Sequence, residues 1–141
     1  MADANGANYT KYAAPDPSTF MGAEWGGKVR ATHDTYTFAS AIATFTVNVG
    51  VLKPGEVYID GFIFSADLGS ATTLTLGSGT TADRFLAATV FTTASQVTAC
   101  RASAGLGYKN DTAVDVPIFA TVGVETANGA IEVVIYKLAA N

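Results

Sequence analysis

Few side chains in this chain can do chemistry, and their spacing argues against most of what they could do. Gly22 to Lys28 reads Gly-Ala-Glu-Trp-Gly-Gly-Lys, which has the glycine and lysine spacing of a phosphate-binding loop. Val29 then stands where such a loop needs a Ser or Thr for magnesium. No strand pattern precedes the segment and no helix pattern follows it, so the backbone amides and dipole that hold a phosphate are missing. It reads as a turn. His33 is the only histidine, so one chain cannot build a multi-histidine metal site. Nucleophilic catalysis needs a base beside the nucleophile. Asp34 is only the sequence neighbour of His33, and no signal brings Ser40 or Ser65 to either. Cys100 precedes Arg101, whose charge would lower a nearby exposed thiol. Neighbours on a strand point to opposite faces, so Cys100 is expected as a small buried hydrophobe. The eight Asp and four Glu are scattered and show no calcium-loop spacing. Asp60 lies inside an apolar run beside Gly61. A buried carboxylate must be paired, and Arg30, Arg84 or Arg101 would serve. No catalytic, cofactor-binding or metal-binding residue is assigned, and no enzyme activity is expected.

The elements that would position these residues are strands. Residues 28–38 and 41–52 read as the first two. In the second, Ala43, Phe45, Val47, Val49 and Val51 alternate with Thr44, Thr46 and Asn48, the pattern of a half-buried strand. Lys53-Pro54-Gly55-Glu56 has Pro and Gly where a type II turn wants them. Residues 57–66 form the return strand, with Val57, Ile59 and Ile63 on one face and Tyr58, Phe62 and Phe64 on the other. Both faces are apolar. One covers the core, and the other needs a cover, either the N-terminal segment or a second subunit. Residues 71–77, 96–102, 105–109 and 113–124 read as further strands. Thr80 and Asp83 resemble a helix cap, so Asp83 to Phe91 is expected as the one short helix. Asn128-Gly129 signals a hairpin. The last strand, Ile131 to Leu138, places Ile131, Val133 and Ile135 on one face.

Residues 1–27 show neither period. Pro15, Pro17 and four glycines make them an extended N-terminal arm, followed by a β-domain over 28–141. Tyr9, Tyr12, Phe20, Met21 and Trp25 give the arm more aromatic surface than a solvated tail uses. Each ring gains on the order of 2 kcal/mol on burial. The arm is therefore expected to dock, on its own domain or on a neighbour.

Composition agrees with a packing role. The 141 residues make one domain, 49% hydrophobic and only 14% charged. Ala, Gly, Ser and Thr fill 65 positions, among β-branched and aromatic residues that favour strands. The net charge of −4 carries no electrostatic footprint for nucleic acid. One cysteine excludes an internal disulfide. No apolar run approaches the ~20 residues that span a bilayer, and Met1 to Thr10 lacks the apolar core of a signal peptide. A surface this poor in charge is easily desolvated against another protein. The expected fold is an all-β antiparallel sandwich or jelly roll of about eight strands.

Several segments carry a resemblance. They are residues 15–30 (Pro-rich, ending Gly-Gly-Lys-Val-Arg), 73–77 (Thr-Leu-Thr-Leu-Gly) and 83–89 (Asp-Arg-Phe-Leu-Ala-Ala-Thr), with 117–122 (Pro-Ile-Phe-Ala-Thr-Val) and 129–136 (Gly-Ala-Ile-Glu-Val-Val-Ile-Tyr). In these the chain resembles the head decoration, or cement, proteins of tailed bacteriophages. In size it is similar to the jelly-roll type found on short-tailed phages. The resemblance implies a protein on the outer capsid surface of the virion that staples major capsid protein subunits. It also implies self-association, with a homodimer favoured and a trimer possible, and it brings no cofactor. The expected partner interface is the arm, through Tyr9, Tyr12, Phe20 and Trp25, with Lys28 and Arg30 either meeting acidic groups or solvated. The alternative is a carbohydrate-binding jelly roll of a phage fibre, with aromatic platforms drawn from Trp25 and the tyrosines.

Overall fold

The computed structural model describes residues 3–6 and 29–139. Nine strands run in chain order: β1 Ala4–Asn5, β2 Val29–Ala41, β3 Thr46–Leu52, β4 Val57–Ser65, β5 Thr73–Ser78, β6 Thr81–Val90, β7 Gln96–Ala99, β8 Val116–Gly123 and β9 Ala127–Leu138. They form two sheets, ordered β1-β3-β8-β5-β6 and β2-β9-β4-β7. Apart from β1, strands pair antiparallel from the two ends of the chain inward: β2 with β9, β3 with β8, β4 with β7, and β5 with β6. This is one long antiparallel ribbon rolled into a sandwich, the jelly-roll connection expected from the strand spacing.

Alternation sorts the residues between core and surface. Val47, Val49 and Leu52 of β3, Ile118, Ala120 and Val122 of β8, and Ile131, Val133 and Ile135 of β9 are buried in one cluster with Leu74, Leu76, Phe85 and Phe91. Two bulges shift the phase of strands that read as regular. In β3 the register slips between Asn48 and Gly50, so Leu52 rather than Val51 turns inward. In β4 it slips between Tyr58 and Asp60. Tyr58 and Ile63, expected on opposite faces, therefore both point into the core. The extra residue of a bulge has no partner, so side chains beyond it change face.

The Lys53–Glu56 turn forms as expected. Gly55 has φ +82°, and the Glu56 amide donates to the Lys53 carbonyl at 3.0 Å. The expected helix over Asp83–Phe91 is instead most of strand β6. Gly79, with φ +59°, sits first in a two-residue hairpin that closes Ser78 onto Thr81. Gly is favoured there because its backbone twist matches that of the flanking strands. Two register shifts in β6 then bury Phe85 and Leu86 side by side. That breaks the period of two and gives the sequence its helical look.

Two other expectations are also corrected. Residues 105–109 form turns with a single bridge from Lys109 to Val57, because Gly107 adopts φ +77°. Asn128-Gly129 makes no hairpin. β8 and β9 lie in different sheets, and the pair sits inside β9, where Asn128 Oδ1 accepts the Ser40 amide at 2.8 Å. The chain crosses between sheets at Val124–Thr126.

Residues 3–6 lie along β3. β1 runs parallel to β3, and Asn48 Nδ2 donates to Asn5 Oδ1 at 2.8 Å. The Thr46 amide donates to Asp3 Oδ2 at 2.8 Å, and the Asp3 amide donates to Thr46 Oγ1 at 3.0 Å.

Candidate functional site

The inner faces of both sheets are spent on the core, which leaves the outer faces for partners. On the β2-β9-β4-β7 sheet, cross-strand register assembles an apolar surface. Phe62 stands between Val134 and Ala99, Phe64 between Glu132 and Val97, and Asp60 beside Tyr136. Beyond β9 the same rows continue to His33 and Ala31 of β2. Phe62 meets Tyr136 edge to face at 6.3 Å. Phe64 is 40% exposed and Val97 57% exposed, at the β7 side of the sheet. Neighbouring apolar side chains left in water on one sheet face mark an interaction surface. This is the uncovered face that alternation in 57–66 indicates for Phe62 and Phe64.

The polar side chains on this face have partners within it. Arg101 grips Asp60 with a fork, Nε to Oδ1 at 2.9 Å and Nη2 to Oδ2 at 2.8 Å, while its guanidinium lies 5.4 Å from the Phe62 ring centre. His33 Nε2 lies 3.4 Å from Glu132 Oε2. Of the three arginines considered for Asp60, Arg101 is the partner, and the β4 bulge turns the carboxylate outward rather than into the core. The Arg101 hydrogen bonds hold the Asp60 carboxyl below its ordinary range, against a smaller opposing effect of burial. A lowered carboxyl contributes stability that is complete above its unfolded value and lost as pH falls through its folded value. Asp60→Asn should therefore melt below the native chain at pH 6. The difference should begin to shrink as pH drops below about 4 and vanish only below the lowered folded value. Melting curves across pH 2–6 check this, and a difference that is constant with pH would show the fork to be irrelevant.

Cys100 is buried, as expected. Burial, then the charge of Asp60, pushes its thiol up to about 12, so it is no nucleophile at neutral pH. Tyr58 lies beneath the face, stacked on Phe85 at 4.1 Å, and donates its hydroxyl to the Cys100 carbonyl at 2.8 Å. Burial raises its phenol far above the ordinary value. Asp34 faces the opposite side from His33 and is buried, so the two do not act together. Among the described residues, no three His, Cys, Asp or Glu side chains are grouped to hold a metal ion.

Of the residues expected at the partner interface, Tyr9, Tyr12, Phe20, Trp25 and Lys28 lie outside the described residues, as does the Gly22–Lys28 segment. Arg30 is half-buried in β2, in register with Lys137 on the inner side, so it does not belong to the outer face. The residue of that face that sequence reasoning missed is Val97. It comes from β7, which meets β4 only through long-range pairing.

Fold and site together define a jelly-roll sandwich with exposed apolar side chains on the outer face of one sheet. No protein-family model matches the chain, and no curated protein matches it. Two solved structures share the fold. One is titled "Capsid of Ralstonia phage GP4": TM-score 0.71, 18% identity, covering 87% of this chain and 92% of that one. The other is titled "Cyanophage Pam1 capsid asymmetric unit": TM-score 0.66, 20% identity, covering 89% of this chain and 97% of that one.

Proposed function

We propose that this chain is a structural virion protein that decorates the outer surface of a phage capsid. It stabilises the shell by binding across major capsid protein subunits, and it has no catalytic role. The observation that carries this reading is the outer face of the β2-β9-β4-β7 sheet. Phe62, Phe64, Val97, Val134 and Tyr136 offer apolar area, and the adjacent Asp60 is already paired with Arg101. Such a face loses little on desolvation, which is what a protein added to a shell for contact area needs. The fold shared with chains of two phage capsid structures supports the same reading. In this reading the aromatic residues of the arm, Tyr9, Tyr12, Phe20 and Trp25, add anchors to the same attachment, and many identical copies on one particle give avidity.

Co-sedimentation of the full chain with undecorated shells of the phage that encodes it tests the proposal. Binding should saturate near one copy per capsid subunit. A few copies per particle would point to a vertex or fibre attachment instead. No binding at all would remove the proposal and send the protein to a glycan array.

A further inference from the structure

One group on the outer face of the β2-β9-β4-β7 sheet would lose on desolvation. A partner that covers Phe64 and Val97 also covers Glu132. Glu132 of β9 stands directly opposite Phe64 of β4, and Phe64 directly opposite Val97 of β7. With Gln96, these side chains line an open groove of about 340 Å³. Glu132 is 58% exposed, and its partner among the described residues is His33 at 3.4 Å. A strong charge-assisted bond is shorter, at roughly 2.7–2.9 Å. Burying a carboxylate held no better than this is costly unless the docked partner brings a counter-charge.

The groove suits a cation and disfavours an anion. No lysine, arginine or histidine lines it. Gln96 Nε2 donates to the Val90 carbonyl at 2.8 Å and to Thr98 Oγ1 at 3.3 Å, so what this amide has left is its oxygen, an acceptor. Asp67, next to Ala66 of the groove wall, is exposed and adds a second negative charge at this end. The guanidinium of Arg101 is committed to Asp60. Asp60 stands opposite Tyr136, four positions along β9 from Glu132, which is roughly 13 Å. Phe64 and Val97 supply apolar surface, along which a lysine or arginine lays its stem while its charged head stays free to meet a carboxylate.

We infer that this groove receives a lysine or arginine side chain of the capsid subunit, with its stem against Phe64 and Val97 and its charged head on Glu132. The inference rests on the decoration role proposed above and names the chemistry of the partner at the same face. A second copy of this chain is a poorer source. Among the described residues, Arg84 lies over the Tyr108 ring, Arg101 is paired with Asp60, Lys109 with Asp111 and Lys137 with Glu56, and Arg30 and Lys53 also have partners. To fill the groove with one of these, a second copy would have to break a contact of its own.

Glu132→Gln tests this, with Asp83→Asn as the control. Asp83 is exposed on β6, in the other sheet, and its substitution changes the net charge equally. Glutamine keeps an acceptor for His33 at an exposed site, so Glu132→Gln should melt with the native chain. Its attachment to undecorated shells should weaken about tenfold or more, because the partner's cation is then buried without a counter-charge. Glu132→Lys should weaken it further, since like charges then meet. Asp83→Asn should attach as the native chain does. Undiminished attachment of Glu132→Gln overturns the inference and leaves the decoration role standing. Equal weakening by Asp83→Asn does the same, as does a Glu132→Lys chain that binds better than Glu132→Gln. A Glu132→Gln chain that melts lower and binds worse in proportion also overturns it, because Glu132 would then be structural. A change in the oligomeric state of free Glu132→Gln on sedimentation would give the groove to a second copy, and the inference falls. Failure of the native chain to bind overturns the decoration role and this contact with it.

Discussion

Lys137→Met is expected to destabilise the domain by about 3–5 kcal/mol, the usual consequence of breaking a buried ion pair from one side. Lys137 is inward-facing in β9, where alternation demands an apolar residue. Its Nζ lies 2.7 Å from Glu56 Oε2 and 2.9 Å from the Val51 carbonyl. The two side chains are 6% and 3% exposed. Burial drives the lysine below its ordinary pKa, and the Glu56 hydrogen bond works against that. Glu56 Oε2 also accepts the Lys53 amide at 2.8 Å, which closes the turn between β3 and β4. With methionine at 137 the carboxylate stays buried with that one amide donor. The melting temperature should fall by on the order of 10 °C. The double variant Lys137→Met, Glu56→Gln should recover most of the loss, because a neutral amide can still accept from Lys53 and no charge remains to be desolvated. Urea unfolding of the two single variants and the double variant gives the coupling directly. A Lys137→Met chain that unfolds at the native midpoint would show that the pair contributes nothing net.

Phe64→Lys combined with Val97→Thr is expected to weaken shell attachment by about a hundredfold or more, which is roughly 3 kcal/mol of binding. The two residues are directly paired across β4 and β7, so together they form the most exposed part of the apolar face. The substitutions are chosen to spare the fold. Lysine at 64 stands opposite Glu132 and makes a favourable cross-strand pair. Threonine at 97 keeps β-branching on the edge strand. Both sites are exposed, so stability should change by only about 0.5 kcal/mol. Co-sedimentation and a melting curve on the same preparation read both quantities. Full attachment of a normally folded double variant would remove this sheet face from the interface and leave the arm to carry it.

Much of the architecture was legible from alternation. Ile131, Val133 and Ile135 against Glu132, Val134 and Tyr136 required a strand covered on one side and partly apolar on the other, and β9 is that strand. Pro54-Gly55 at the third and second positions before Val57 required a tight turn, and Gly55 takes the positive φ such a turn needs. The exposed aromatic face was legible too, because Phe62 and Phe64 were two apolar residues more than one core face could use. The failures have a common cause. Phe85 and Leu86 are both buried because β6 bulges against β5, and a window of sequence does not contain β5. Asn128-Gly129 has hairpin chemistry, yet its neighbours in space are Ser40 and the chain near Leu68, in contacts made after the ribbon rolls up.

What the residues determined by themselves was local. Side-chain shape and period selected strands, the poverty of charge left apolar side chains on an outer sheet face, and a single histidine and a single cysteine left little chemistry to place. Which strands became neighbours was decided only by the tertiary structure. That step put Val97 beside Phe64, Arg101 across Asp60, and Lys137 onto Glu56. Each of those pairs joins residues at least 33 positions apart in the chain. Their energies come from burial and desolvation, which depend on what finally surrounds a side chain rather than on what precedes it in sequence.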